Sequence, residues 1–145
     1  MSTEQVGRDF VLKMNDPEML INYITADAIA DGGVLPQPIK LLDALPIVKA
    51  LTTAMPDIKY DIRDVKVKGD QATVNVTWTG TQTGALSLPM PGMPPIPATG
   101  KKVSVRDSYV VTVKGDKVSR FTVQSPADGG MPAALKQLGV NLPPM

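Results

Sequence analysis

Apolar residues recur at helical spacing through the first third of the chain and alternate with polar residues through the rest. Val6, Phe10 and Met14 share one side of a first helix, and Ser2 and Gln5 stand ahead of them at capping-box spacing. Asn15-Asp16-Pro17 breaks the chain and restarts it, with Asp16 suited to an N-cap and Pro17 to the first helical position. Met19, Leu20, Tyr23 and Ile24 predict one apolar face of a short second helix. Asp31-Gly32-Gly33 predicts a turn, with Asp27 and Asp31 solvated, and Pro36 and Pro38 keep the following segment extended. A third helix is expected from about Asp43, with Leu45, Val48, Leu51 and Met55 as its stripe. Pro46 then falls in its first turn, where a missing N–H is tolerated.

From Ile58 onward the period is two. Ile58, Tyr60 and Ile62 are in one phase and Val65 and Val67 in the other, which predicts a bulge near Arg63-Asp64. Gly69-Asp70 is a hairpin signal, and Ala72, Val74, Val76 and Trp78 alternate cleanly after it. Residues 88–98 form a loop rich in Pro and Met, which cannot be a central strand because proline has no N–H to donate. Val103, Val105, Asp107, Tyr109, Val111 and Val113 share one face of a long strand. Gly115-Asp116 turns it, and Val118 to Gln124 returns. Pro132 opens a last short helix through Leu138, ended by Gly139. A further strand is allowed at Asp27 to Ala30. Helices followed by an antiparallel meander define an α+β class, in one domain over residues 1–145.

Composition narrows the chemistry. Net charge is +1 and aromatic residues make up 4%, so there is neither a field nor a stacking platform for nucleic acid. No apolar run is long enough to span a membrane, and the first residues lack a signal-peptide pattern, so the expected location is cytoplasmic. Without Cys or His, thiol and imidazole catalysis and the common zinc sites are excluded. Proton transfer must use Asp, Glu, Lys, Tyr or water. Asp107 is the candidate that the pattern itself supplies. In phase with apolar neighbours it loses hydration, which favours its neutral form. Otherwise a bulge at Arg106-Asp107 turns both charges outward, or Asp107 pairs with a Lys or Arg.

Ala54-Met55-Pro56-Asp57, Gly69-Asp70, Trp78-Thr79-Gly80-Thr81-Gln82-Thr83-Gly84, Ala98-Thr99-Gly100-Lys101, Gly115-Asp116-Lys117-Val118 and Gln137-Leu138-Gly139 follow one another in this order. The series resembles the SnoaL-like polyketide cyclases, or ester cyclases, of the nuclear-transport-factor-2-like superfamily, from about Asp16 to Gly139. The resemblance implies a cone in which a curved antiparallel sheet wraps the N-terminal helices around a cavity, often as a homodimer. It also implies ring closure without a cofactor, by a carboxylate acting as acid and base. Family members usually carry a Trp in the last strand and an acidic residue four positions later. Here those places hold Thr122 and Pro126, and Asp128 lies two residues further on, which makes it the second catalytic candidate.

Tyr23, Trp78, Tyr109 and Phe121 are candidate pocket walls, and Gln124 a candidate partner for a ligand carbonyl. Met90 and Met93 adapt to varied apolar shapes, so the 88–98 loop is expected either to cover the pocket or to pack on a partner subunit. Two functions stand. One is a cofactor-independent cyclase or isomerase acting on an apolar, oxygenated small molecule. The other is a non-catalytic binding or dimeric assembly module of the same fold.

Overall fold

The computed structural model describes residues 2–33, 35, 37–87 and 94–139. Helix α1 spans Thr3–Leu12, with Val6, Gly7, Phe10 and Val11 on its buried face. Ser2 caps it, its Oγ accepting from the Gln5 N–H at 3.1 Å. The Gln5 amide does not return the bond; it donates to Asp9 at 2.9 Å instead. A side chain at Gly7 would place Cβ 3.0 Å from that of Ala72, so this glycine lets α1 close on the sheet.

Helix α2 is only Pro17–Leu20, followed by a 3-10 turn over Ile21–Tyr23. Ile24 does not extend its apolar face as expected. It begins strand β1, Ile24–Gly32, and Met19 and Ile21 are left exposed. Sheet pairing outweighs a weak local helical preference here. Strand β2, Ile39–Lys40, leads into helix α3, Leu41–Ala54. That helix starts two residues before the predicted Asp43, which moves Pro46 into the second turn. Its absent N–H costs one helical hydrogen bond on an exposed side. At the far end the Ala54 carbonyl accepts from the Thr83 and Gly84 N–H groups at 3.0 and 3.1 Å.

Strands β3 (Lys59–Lys68), β4 (Gln71–Thr81), β5 (Lys102–Lys114) and β6 (Lys117–Val123) complete a six-stranded sheet in the order β2-β1-β6-β5-β4-β3. The sheet is curved and its neighbours are antiparallel, save β1 and β6, which run parallel. The predicted bulge lies between Ile62 and Asp64, which pair with Val76 and Asn75. Arg63 is the extra residue, and Val65 thereby stays opposite Val74. Helices α1 and α3 cover the inner face. Phe10, Phe121 and Tyr109 stack through the core, with ring centroids 5.2 and 5.1 Å apart.

A smaller cluster of Ala54, Leu86, Ile96 and Leu135 holds the two ends of the proline-rich segment. Leu86 and Ile96 exchange both backbone bonds at 2.8 Å. Gln82, fully buried, donates to the Ile96 carbonyl at 3.3 Å and accepts from the Thr99 hydroxyl at 2.8 Å. Residues 88–93, with Met90 and Met93, lie outside the described residues.

The last helix, α4, spans Gly130–Gln137, two residues ahead of the predicted Pro132. It covers a bare edge, since β6 pairs with β5 only from Tyr109 onward. There the Gln137 amide accepts from the Ser104 N–H and donates to the Ser104 carbonyl, both at 2.9 Å. A side-chain amide is both donor and acceptor, so it can stand in for a neighbouring strand. Gln137→Ala is expected to destabilise the fold by about 1 kcal/mol, the low end for two bonds whose partners water can replace. Gln137→Glu keeps the acceptor alone and should fall between, as read from urea midpoints.

Candidate active site

Strand β5 runs past Asp107 without a break. Arg106, Asp107 and Ser108 pair in sequence with Thr77, Val76 and Asn75. No bulge intervenes, so Asp107 keeps the phase of Val105 and Tyr109 and points inward, 7% exposed. Among the described residues it is the one buried carboxylate.

Its hydrogen bonds are uneven. Oδ1 accepts from the Ser108 N–H at 2.9 Å and the Ser125 hydroxyl at 2.8 Å. Oδ2 accepts from the Trp78 indole N–H at the longer 3.4 Å. The Tyr109 hydroxyl adds a further bond to the carboxylate. All of these favour the ionised form, yet desolvation outweighs them and raises the pKa of Asp107 above the ordinary Asp value. Among the described residues no Lys or Arg borders the cavity to offset it.

Tyr60, on β3, faces the same carboxylate and is 6% exposed. Burial first, and then the charge of Asp107, push its pKa far up. Tyr109 is raised by burial and then by Tyr60 and Asp107. Both therefore stay protonated. The Tyr60 side chain lines the cavity beside that carboxylate, where its O–H can meet a ligand.

These groups form the polar end of a cavity of about 110 Å³. Its apolar walls are Leu41, Leu45, Val48 and Leu51 of α3, Met131 of α4, and the rings of Phe10 and Phe121. Leu45, Val48 and Leu51 are only half-buried because they face this space. An apolar hollow of roughly 150 Å³ accommodates benzene, so this one suits a single small ring before any side chain moves.

Of the residues predicted from sequence, Asp107, Trp78, Tyr109 and Phe121 converge here. Tyr23 does not; it is half-buried, packed on the core beyond the cavity. Gln124 also does not, because strand alternation from Phe121 turns it to the outer face. There it borders a polar cleft with Arg63, Asn75 and Arg106. Asp128 is on the surface, its side chain 65% exposed and ion-paired with Arg106, so it does not reach the cavity. Asp31 is no solvated turn residue: it lies in β1, with bonds from Thr122 and Arg120, and borders the cavity mouth. Met90 and Met93 lie outside the described residues.

Two site residues were not singled out from sequence. Tyr60 was visible as an inward position beside Ile58 and Ile62. Ser125 follows if the inward phase of Phe121 and Val123 is carried past the strand end.

The family profile described as SnoaL-like polyketide cyclase matches residues 11–124. Among solved structures, AclR from Streptomyces galilaeus, provisionally assigned as a hydroxylase, superposes with a TM-score of 0.75 at 19% identity, covering 97% of each chain. IdmH from Streptomyces antibioticus, provisionally assigned as a polyketide cyclase, gives 0.72 at 19% identity over 97% of this chain and 100% of its own. A hypothetical protein of Catenulispora acidiphila with a ketosteroid isomerase-like fold, solved with trimethylamine, gives 0.70 at 12% identity over 97% of this chain and 96% of its own. Identities this low speak to the fold. No curated protein matches the sequence. Among the described residues no helix is long and apolar enough to cross a membrane.

Proposed function

The chain belongs to the SnoaL-like polyketide cyclase family, and on that premise we propose that it binds an uncharged, oxygenated apolar molecule in the cavity beneath α3 and moves a proton on it with Asp107. The observation that carries this reading is a carboxylate, the one buried among the described residues, set at the polar end of an apolar cavity with the protonated Tyr60 facing it. Asp107, ionised, removes a proton from carbon next to a carbonyl, and the electron pair passes to the carbonyl oxygen. The Tyr60 hydroxyl donates to that developing enolate, in a site where water does not compete. If the proton returns to another carbon, the outcome is isomerisation. If the enolate carbon attacks a second carbonyl of the same molecule, a ring closes, and Asp107 returns the proton to the new alkoxide. Each route balances without a cofactor.

The small size of the cavity favours a second reading, a module that binds without reacting. Deuterium exchange separates the two. The enolisable single-ring ketone cyclohexanone, incubated with the protein in D₂O and followed by proton NMR, should lose its α-proton signal faster than in buffer alone. Binding of the ketone with no gain in exchange rate would favour the non-catalytic module.

A further inference from the structure

We infer that Ser125 is the positioning residue of Asp107, held in place by the first turn of α4; the inference rests on the proton-transfer reading above. Ser125 lies two residues past the end of β6. The Gln124 N–H donates to the Ser108 carbonyl at 2.8 Å, which carries the chain one step further along β5. The Gly129 N–H then closes a turn onto the Pro126 carbonyl at 3.0 Å.

Two glycines press this turn against the strand. A Cβ at Gly129 would lie 2.2 Å from the Arg106 carbonyl oxygen. A Cβ at Gly130 would lie 2.2 Å from the Ser125 hydroxyl oxygen, and Gly130 has φ +66°, a conformation that favours glycine. The hydroxyl is therefore confined between α4 and Asp107. With the Ser108 N–H it holds Oδ1 by two short bonds, which fixes the plane of the carboxylate and leaves Oδ2, which accepts the longer indole bond, as the oxygen presented to the cavity. Of the other titratable groups nearby, Tyr109 alone among the described residues also bonds the carboxylate. Tyr60 from β3 and Tyr109 from β5 face Asp107 and stay protonated. Asp31 at the mouth is paired with Arg120. Arg106 and Asp128 pair on the surface.

A hydroxyl that only anchored the loop would affect stability alone. One that positions a base also sets its proton affinity, because it donates to the charged form. The test is a carbon-detected NMR titration of the Asp107 carboxyl in the full chain, together with the pH profile of cyclohexanone exchange. In Ser125→Ala the Asp107 midpoint should move upward, and exchange at neutral pH should fall about tenfold, the equivalent of one hydrogen bond to a charged group. Gly130→Ala leaves Ser125 in the chain but displaces its hydroxyl, and should move the midpoint the same way. An unmoved midpoint in Ser125→Ala, with the wild-type Asp107 still raised, overturns the clamp and leaves the proton-transfer reading standing. A wild-type Asp107 that titrates like a free carboxyl overturns both.

Discussion

Asp107→Asn should make the protein a poorer catalyst and a more stable fold at neutral pH. The loss is the larger effect. Removing a positioned general base typically lowers a proton-transfer rate by about 10²–10⁴-fold. The geometry survives the change, since Asn keeps an oxygen at the Oδ1 position for the Ser108 N–H and Ser125 hydroxyl. The amide nitrogen then faces the Trp78 indole, where the existing bond is already long at 3.4 Å.

The stability gain follows from the direction of the pKa shift. Burial raises the pKa of Asp107 in the fold above its unfolded value, so the folded chain holds that proton more tightly. Its contribution is fully present below the unfolded pKa and is lost as pH rises through the folded one. At neutral pH the wild type carries a desolvated charge that Asn does not. Asp27, Asp31 and Asp57 run the other way. Hydrogen bonds depress each of them, Thr81 holding Asp57 through both its N–H and its hydroxyl. Their contribution is present above the unfolded pKa and fades as pH falls, in both proteins alike. The difference in Tm between variant and wild type therefore isolates Asp107 and should widen from mild acid to neutral pH. A difference that stays flat would mean the carboxyl is not desolvated.

Phe10→Ala should produce the largest loss of stability. Phe10 is 1% exposed, stacks at 5.2 Å on Phe121, and stands between the core and the cavity. Truncating a buried Phe costs about 3–5 kcal/mol, in part because the surroundings cannot collapse into the space left. Here collapse is opposed by the cavity itself, so the two spaces should merge. The expected fall in Tm is roughly 10–20 °C for a chain of this size. The enlarged hollow should take up an apolar probe such as benzene more tightly than the wild type does, visible as a partial recovery of Tm with added benzene. Phe10→Leu fills most of the volume and should lose less than half as much. If Phe10→Ala melted within a few degrees of the wild type, the aromatic stack would not be the centre of this core.

How far these residues could be read from the chain alone depended on the range of the forces that place them. Alternation within one strand is local. It put Trp78, Asp107 and Tyr109 on one face, and the phase break after Ile62 located the bulge. The Asp107 carboxylate was thus legible as a buried acid. Turn chemistry is local too, and Gly69 and Gly115 mark the two hairpins, each with φ above +60°.

The failures came where a partner distant in sequence makes the choice. Ile24 scans equally well as the end of a helix or the start of a strand; β6, pairing Val118 against it, decides for the strand. Gln124 is a suitable residue type on the outer face of its element, and Tyr23 packs on the core away from the cavity, facts that only the path of the backbone supplies. Asp128 had a helix start beside it and a family expectation behind it. Its position was settled instead by Arg106, 22 residues away, which draws it to the surface. Ser125 and Tyr60 gained their meaning only when β6 was laid beside β5 and β3 was placed across β4 from it.

The sequence by itself determined which residues face inward, because side-chain phase within a strand is a property of consecutive backbone units. The tertiary structure alone decided which inward residues meet, how much space remains between them, and which carboxylate is cut off from water. Those depend on sheet order and helix placement, where the energy lies in contacts between residues far apart in the chain.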